Sequence, residues 1–484
     1  MTLQPFRNGQ RLPLKEIRDL RWPDFREAVV QGLTGGARLA CLCADGDLNL
    51  YAVLAEDGHG RLLAGRTHLD GPRYPAFTPR FPQAHLFERE LAEHGGIVPE
   101  GHPWLQPVRE PRRHAYYHTS GEEVHEVSVG PVHAGVIEPG HFRFQCHGEK
   151  VLHLEIVLGY QHRGVERALL GGPHPLSLKH AETAAGDSSI AHGWAHCRIL
   201  EALSGAQVPP RSDLVRGVAL ELERAANHTG DLGALAGDVG FQPTSALCGL
   251  VRGDWLNLTA AVCGSRLGRD WLRPGGLRMD LEPGRARALA PRLAGVWAET
   301  RQAVQLLWDA ASAMNRFEAA GALDPIAARE IGLVGVPARA CGLDLDVRRD
   351  HPFGPYGLRP VVPALAQSGN VFSRAWVRWL ELAESHRFID EGLAALAELP
   401  CDPAPAPPPA LEPESFCVSL VEGWRGEVLH LAITDARGRF RLYKLVDPSF
   451  HNWMGLALAM REGQISDFPL CNKSFNLSYC GHDL

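Results

Sequence analysis

The sequence predicts an α+β protein, and three observations support this fold class. Stretches with the two-residue alternation of β-strands fill much of the first unit and return between Glu122 and Glu155. Long stretches with apolar residues at three- and four-residue spacing follow, as in LVRGVALELERAANHTGDLGALAG, and they are typical of a helical bundle. A hairpin pattern appears again near the end of the sequence.

Four segments are predicted along the chain. Residues 1–112 form a small α/β domain, with a helix in WPDFREAVVQGL and two strands around the turn ADGD. Residues 113–400 form a core that joins a β-hairpin region to the long helical bundle. Residues 401–413, CDPAPAPPPALEP, are expected to be an exposed, extended linker, because proline is excluded from helix interiors and central strands. Residues 414–484 form an α+β unit with a hairpin turning at DARGR, a helix and a short tail.

Composition excludes several functional classes. With 45% apolar and 22% charged residues, the 484-residue chain has ordinary globular composition, and a net charge of −7 predicts no nucleic-acid partner. We find no signal-peptide pattern and no run of about 18 uncharged apolar residues, so we expect a cytoplasmic protein, at most docked peripherally on a membrane. Eleven scattered cysteines without a Cys-x-x-Cys predict neither a disulfide framework nor an iron–sulfur cluster held by this chain.

Seven ordered segments in the middle and end of the chain carry a family resemblance: GPVHAGVIEPGHFRF, LGYQHRGVERAL, ELERAANHTGDLGALAGDVGF, DVRRDHPFGPY, EGWRGEVLHL, VDPSFHNW and SDFPLCNKS. They resemble the large subunit of nickel–iron hydrogenases of the formate-hydrogenlyase (group 4) type, and its complex I homologue that forms much of the quinone cavity. The first domain resembles the complex I thirty-kilodalton subunit through YPAFTPRFPQAHLFERELAEHGGIVPEGHPWLQPV. The resemblance implies a hydrogenase large-subunit-like core fused behind an accessory domain.

The positions of the metal ligands are the main departure from the hydrogenase pattern. Nickel–iron chemistry takes four thiolates, which the resemblance places at Ala185, Ser188, Cys471 and Ser474. Only Cys471 remains, and a serine hydroxyl does not ionise for a soft metal near neutral pH. We therefore expect no nickel–iron centre and no metal in this chain.

Three residues are predicted to act in catalysis. In the complex I relatives a tyrosine and a histidine hydrogen-bond the quinone head group, and the histidine has a match in His141. Gly186 stands at the tyrosine position, so Asp187 is considered as a nearby polar substitute. Glu138 resembles a proton-relaying glutamate of the hydrogenases, the alternative being a hairpin carboxylate paired with an arginine.

A second group of residues is predicted to face the cavity or a partner's cluster. His162, Arg163 and Glu166 resemble the His-Arg-Gly-x-Glu element beside the active cavity, where Glu166 is expected to hold the arginine; the alternative is a structural ion pair closing a turn. His133 and His192 complete the group.

Further titratable residues are expected to be structural. His192 and His196 share a helix face, but no third ligand follows at a telling spacing, so packing is favoured over zinc. Cys471, Cys480 and His482 crowd the tail, which is expected to fold into the former metal cavity.

Two functions follow from the resemblance. The first is a subunit of a complex I-like or hydrogenase-like energy-converting assembly, which passes electrons from a partner's iron–sulfur cluster to a quinone or similar acceptor. It implies an iron–sulfur small subunit, antiporter-like membrane subunits and docking on the inner face of the cell membrane, and it needs a proton donor in place of the missing tyrosine. The second is a catalytically silent scaffold or coupling subunit, whose cavity is filled by bulky side chains such as Trp194, Phe475 and Tyr479.

Overall fold

The computed structural model describes residues 2–133 and 137–484. The N-terminal part folds as a four-stranded antiparallel sheet in the order β1-β5-β4-β3, a parallel pair β6-β7, and two helices that cover the sheet. Its elements are β1 (Gln4–Phe6), β2 (Arg11–Pro13), α1 (Trp22–Thr34), β3 (Arg38–Ala44), β4 (Asn49–Glu56), β5 (Arg61–His68), β6 (Arg73–Pro75), α2 (His85–Gly95) and β7 (Val98–Glu100). The helix and the two strands expected here are confirmed.

The hairpin region is a three-stranded antiparallel sheet in the order β10-β9-β8. Its strands are β8 (Val124–Val129), β9 (His141–His147) and β10 (Lys150–Val157). Phe142 and Phe144 of β9 are fully buried and pack against Phe468 of the C-terminal part. The sheet is thereby fixed to the end of the chain.

The helical core is built around one long helix, α6, whose buried residues lie on nearly all sides. Helix α6 packs against α7 and α13, and α8 packs against both of these. The elements are α3 (Val165–Leu169), α4 (Ser177–Glu182), α5 (Ser189–Ser204), α6 (Pro210–Asp238), α7 (Gln242–Cys263), β11 (Leu272–Arg273), β12 (Gly276–Leu277), α8 (Pro283–Trp308), α9 (Ala311–Ala319), α10 (Pro325–Glu330), α11 (Gly335–Ala340), α12 (Val347–Asp350) and α13 (Val371–Leu396).

The C-terminal part forms a four-stranded sheet in the order β15-β14-β13-β2, so the N-terminal strand β2 belongs to it. Every residue of β13 and β14 is buried, and α5 packs on both strands. The predicted hairpin at DARGR is confirmed between β14 and β15. The elements are β13 (Ser415–Gly423), β14 (Gly426–Thr434), β15 (Phe440–Val446), α14 (Pro448–Ala459), α15 (Phe468–Phe475) and α16 (Tyr479–Asp483). Residues 401–413 carry no regular secondary structure.

Buried charges tie the bundle to the C-terminal sheet. Ten buried side chains of the described residues are linked by hydrogen bonds and ion pairs, and we call them the ionic core: Glu221, Arg224, His228, Arg339, Asp346, Arg348, Tyr356, Glu381, Ser385 and Glu422. Because a buried charge is stable only when paired and hydrogen-bonded, this network fixes the helices relative to the sheet. None of the described helices combines the length and apolar character that crossing a membrane requires.

Candidate functional site

Three segments distant in sequence, residues 137–141, 184–188 and 478–482, meet at one place, which we call the three-segment site. The thiol of Cys480 lies beside the Glu138 carboxylate and the backbone N–H of Gly186. Burial raises the pKa of this thiol, and the charge of Glu138 raises it further. The ring of Tyr479 lies so close to Gly140 that a Cβ there would stand 2.7 Å from it. The tail is therefore folded against both loops.

One side of this site is an ion pair between Asp187 and Arg425. The Arg425 guanidinium donates to both Asp187 carboxylate oxygens, at 2.5 and 2.8 Å, and lies 3.5 Å from the Ser188 hydroxyl. It stacks on the Trp424 ring at 3.9 Å and donates through Nε to the Asn476 carbonyl at 2.6 Å. The Asp187 side chain is 39% exposed and that of Arg425 only 6%. A buried cation is thus held beside a carboxylate that solvent or a ligand can reach.

A second guanidinium lies at Cys471 and Ser474, where the resemblance leads us to expect the other ligand pair. Arg374 donates through Nε to the Ser474 hydroxyl at 2.8 Å and lies 3.9 Å from the Cys471 sulfur. It also donates to backbone carbonyls and stacks over the Phe475 ring at 4.2 Å. Burial lowers the pKa of Arg374 to about 10, and raises the pKa of the Cys471 thiol to about 11. At neutral pH the thiol is protonated and faces a cation.

These residues do not fit a nickel–iron centre. Ala185 has no ligand atom, while Ser188 and Ser474 are contacted by guanidinium groups. Cys471 is the one thiol among these four positions, and it is neutral, although a metal of this class is held by thiolates. Within residues 2–133 and 137–484, moreover, no three His, Cys, Asp or Glu side chains are grouped so as to hold a metal ion.

A tyrosine that sequence reasoning missed lies beside His141. The rings of Tyr116 and His141 pack edge to face, with centroids 5.5 Å apart, and His141 Nδ1 lies 3.3 Å from the Gly130 carbonyl oxygen. The Arg143 guanidinium covers the other part of the Tyr116 ring at 4.5 Å. Burial raises the pKa of this phenol. The only sequence signal was HAYYH, a group of aromatic and titratable residues in a stretch without periodicity.

The expected pair between Arg163 and Glu166 is wrong. Arg163 donates to the backbone carbonyls of Thr183 and Ala184, at 2.6 and 2.9 Å, and so holds the loop before the site. Glu166 instead accepts from Lys444 Nζ at 2.8 Å and from a backbone N–H of β15 at 2.9 Å. Glu166 pairs with Lys444 and not with Arg163, because the buried ammonium group of Lys444 is stable only beside a carboxylate.

Two predicted histidines act on the backbone around the site. His162 Nδ1 lies 2.7 Å from the carbonyl oxygen of Asp483, and this contact links His162 to the C-terminal tail. His133 Nε2 lies 2.7 Å from the Gly140 carbonyl oxygen, beside the predicted residues Glu138 and His141. His162 is exposed and His133 is half-buried.

His192 is fully buried, and both of its ring nitrogens have protein partners. Its Nε2 lies 3.1 Å from an Asp447 carboxylate oxygen, and its Nδ1 lies 3.1 Å from His430 Nε2. His196 also lies in this part of the core, with Nδ1 2.7 Å from the Tyr443 hydroxyl. The shared helix face is therefore used for hydrogen bonding.

The bulky residues named for the scaffold hypothesis lie in three places. Phe475 packs under Arg374, and Tyr479 packs against Gly140 at the three-segment site. Trp194 is buried elsewhere, against Phe353 at 5.0 Å between ring centroids.

Comparison with known proteins agrees with this architecture. Residues 24–118 match the family model of the respiratory-chain NADH dehydrogenase 30 Kd subunit, and residues 238–414 match that of the 49 Kd subunit. The chain is 29% identical to formate hydrogenlyase subunit 5 of Escherichia coli over 90% of its own length and 82% of that protein. It is 30% identical to the carbon monoxide-induced hydrogenase of Rhodospirillum rubrum, over 72% of this chain and 96% of that one. It is 28% identical to NADH-quinone oxidoreductase subunit 4 of Thermus thermophilus, over 71% and 90%.

A solved structure shares the fold. A chain of the membrane-bound sulfane sulfur reductase, an archaeal respiratory membrane complex, superposes with a TM-score of 0.70, at 19% identity, over 76% of this chain and all of that one. Fold and matches together define the class of large subunits of respiratory and hydrogenase complexes. Within that class, the chain belongs to the family of membrane-bound hydrogenase large subunits and their complex I homologue, with the 30 Kd unit fused at its N-terminal side.

Proposed function

We propose that this chain is the large subunit of a membrane-associated electron-transfer complex that reduces a small acceptor of the quinone class at the three-segment site. The electrons come from an iron–sulfur cluster in a small subunit of the hydrogenase or complex I type. Reduction of a quinone to its quinol takes two electrons and two protons, which bond to its two carbonyl oxygens. Hydrogen chemistry is not proposed, because the donor set does not fit a nickel–iron centre.

The observation that carries the proposal is the packing of Tyr116 against His141. It supplies the phenol and imidazole pair that the resemblance associates with a quinone head group, although the phenol comes from an unexpected segment. A phenol with a raised pKa donates a hydrogen bond to a carbonyl oxygen, and His141 serves as the second donor. Asp187, with Arg425 behind it, and Glu138 complete a polar wall for the acceptor.

The chain's place in its complex follows from its relatives. Formate hydrogenlyase and NADH-quinone oxidoreductase subunits are among them, so we propose an iron–sulfur small subunit and antiporter-like membrane subunits as partners. Peripheral docking on the inner face of the cell membrane is proposed on the same basis. Arg163 and the exposed edge of Asp187 belong to the surface proposed to meet the small subunit.

A specific observation favours the scaffold as a second candidate. Arg374 and Phe475 fill the side of the former metal site next to Cys471, and the ionic core locks the surrounding helices. A rigid, filled interior suits a subunit that transmits force between partners. It does not account for the polar, partly exposed side that contains Tyr116, His141 and Asp187.

Two neighbouring tyrosines provide a matched test. Tyr116 contacts His141, whereas Tyr117 is 44% exposed and packs on Trp104 and His153. In the complex purified from its own host, Tyr116→Phe is expected to lower the rate of quinone reduction at least about 10-fold, and Tyr117→Phe to leave it unchanged. His141→Ala should match Tyr116→Phe.

Mass spectrometry of the purified complex separates the two candidates further. An iron–sulfur small subunit should copurify with membrane subunits. Recovery of the membrane subunits without an iron–sulfur protein, or full activity of both Tyr116→Phe and His141→Ala, would favour the scaffold.

A further inference from the structure

Five buried groups form a continuous hydrogen-bonded line through the core. His192 links Asp447 to His430, at 3.1 Å on each side. His430 Nδ1 lies 2.9 Å from the Tyr443 hydroxyl, which lies 2.7 Å from His196 Nδ1. The five side chains come from helix α5, strands β14 and β15, and the residue before α14, and none is more than 2% exposed.

The partners determine the direction of every bond in the line. Burial lowers the pKa of His196 to about 4 and that of His430 well below its usual range, so both rings are neutral at pH 7. The relay takes His192 as neutral: beside an ionised Asp447, which only accepts, it then carries its hydrogen on Nε2 and accepts at Nδ1 from His430 Nε2–H. His430 Nδ1 then accepts from the Tyr443 hydroxyl, whose oxygen accepts from His196 Nδ1–H. Every donor points toward Asp447, and His196 Nε2 is left as a bare acceptor.

The outer end of the line opens on a cavity. His196 Nε2 is buried and has no hydrogen-bond partner among the described residues. His196 forms part of the wall of a surface cavity of about 260 Å³, which has His174, Lys179 and Asp270 in its lining. Most of the lining is apolar, but the cavity lies at the surface and is large enough to hold several water molecules. The relay requires a water of this cavity to approach His196 Nε2, the buried nitrogen that has no partner among the described residues.

The inner end of the line reaches the three-segment site. Asp447 lies so close to Gly481 of the tail that a Cβ there would stand 2.6 Å from the carboxylate carbon. Burial opposes ionisation, but the hydrogen bond from His192 is the largest of the interactions that hold the pKa of the Asp447 carboxyl below its usual range. Asp447 is thus the acceptor of the line and a neighbour of Arg425.

We infer that these five residues are a proton relay from the surface cavity to the three-segment site. A water proton bonds to His196 Nε2 while the Nδ1 proton passes to Tyr443. The Tyr443 proton passes to His430 Nδ1, the His430 Nε2 proton to His192 Nδ1, and the His192 Nε2 proton to Asp447. One proton leaves the cavity and one arrives on Asp447, and every hydrogen bond survives with its direction reversed. The use of the proton in acceptor reduction rests on the proposed function, but the relay itself does not.

The first test determines which nitrogen of each histidine ring carries a proton, and it does not depend on quinone reduction. In the purified complex with ¹⁵N-labelled histidine rings, assigned by His→Gln variants, nuclear magnetic resonance should show His196 as the Nδ1–H form at pH 7. His192 and His430 should be Nε2–H forms, and all three should be neutral. Tyr443→Phe, which removes the hydroxyl alone, should release His196 from the Nδ1–H form. An Nε2–H or cationic His196 in the wild type would overturn the relay.

The second test measures turnover, with Tyr74 as a matched control. Tyr74 is equally buried but lies on β6, in the N-terminal sheet pair. If the wild-type complex reduces quinone, Tyr443→Phe should slow it at least about 10-fold in a complex that still assembles, and Tyr74→Phe should not. Equal rates for wild type and Tyr443→Phe would overturn the relay while leaving the proposed function standing. A wild-type complex that reduces no quinone would refute the proposed function. The nuclear magnetic resonance measurement would then be the only test of the relay.

Discussion

Replacing Arg339 by methionine should destabilise the protein far more than removing the charge of its partner Glu422. Arg339 is fully buried and bonds Glu381 Oε1 at 2.7 to 2.9 Å, Glu422 Oε1 at 2.8 Å and the Leu345 carbonyl at 2.7 Å. Arg339→Met leaves two buried carboxylates without their main cation. Breaking a buried ion pair in this way costs about 3–5 kcal/mol of unfolding free energy.

Glu422→Gln should be mild near neutral pH because Glu422 is partly protonated there. The ionic core holds three arginines and four carboxylates, so full ionisation leaves one uncompensated negative charge. Burial, with the nearby charge of Asp346, raises the pKa of Glu422 to about 7 although Arg339 opposes this. Glutamine reproduces the neutral form and needs no proton uptake on folding, so we expect the variant to be at least as stable as the wild type at pH 7.

The same shift predicts a pH dependence with a definite sign. The pKa of Glu422 in the folded state is above its ordinary value of 4.5, so the folded protein binds more protons between pH 4.5 and 7. Protonation of Glu422 therefore adds to the free energy of unfolding. This contribution is complete below pH 4.5 and is lost as the pH rises to 7, and it amounts to about 3 kcal/mol. The free energy of unfolding of Glu422→Gln should lack this pH dependence.

Urea unfolding followed by tryptophan fluorescence at pH 5, 6, 7 and 8 measures both effects. Arg349→Met is the matched control, because Arg349 is 35% exposed and its pair with Asp344 lies at the surface, where an ion pair contributes about 0–1 kcal/mol. Equal losses of unfolding free energy in Arg339→Met and Glu422→Gln would refute the charge states assigned to the ionic core. An unchanged pH dependence in Glu422→Gln would refute them as well.

Three further predictions concern the site and its supports. Restoring thiols with Ala185→Cys, Ser188→Cys and Ser474→Cys should not produce stoichiometric nickel by elemental analysis, because Arg425 and Arg374 contact these positions; one nickel per chain would contradict this. Lys444→Met leaves Glu90 and Glu166 without their shared cation, so the thermal midpoint should fall by the equivalent of about 3 kcal/mol, and an unchanged midpoint would count against the assigned pairing. Gly481→Ala should push the tail from Asp447, visible as faster hydrogen exchange in residues 478–484; unchanged protection would show that the tail tolerates a Cβ.

Local sequence patterns predicted the order of helices and strands along the chain better than they predicted which of these elements pair with one another. The DARGR hairpin and the long helices follow from turn residues and apolar spacing. Strand β13 was missed because its sequence, SFCVSLVEG, is buried on both faces and so lacks polar alternation. Its pairing with the three-residue strand β2 joins residues about four hundred positions apart, which no local pattern encodes.

The site shows the same limit. The assignment of ligand positions to Ala185, Ser188, Cys471 and Ser474 stays a prediction, and no local pattern indicated that the guanidinium groups of Arg425 and Arg374 reach Ser188 and Ser474 from other elements. Tyr116 was missed for the same reason, since its contact with His141 is tertiary.

Cluster reoxidation in the intact complex tests the central claim most directly. The complex is reduced anaerobically with dithionite, excess reductant is removed, and the electron paramagnetic resonance signal of the partner's reduced iron–sulfur cluster is followed after a short-chain quinone is added. The account predicts that quinone removes the signal and forms quinol, that Tyr116→Phe slows this at least about 10-fold, and that no hydrogen is evolved when quinone is omitted. Hydrogen evolution, or a reduced cluster that persists in the presence of quinone, would contradict it.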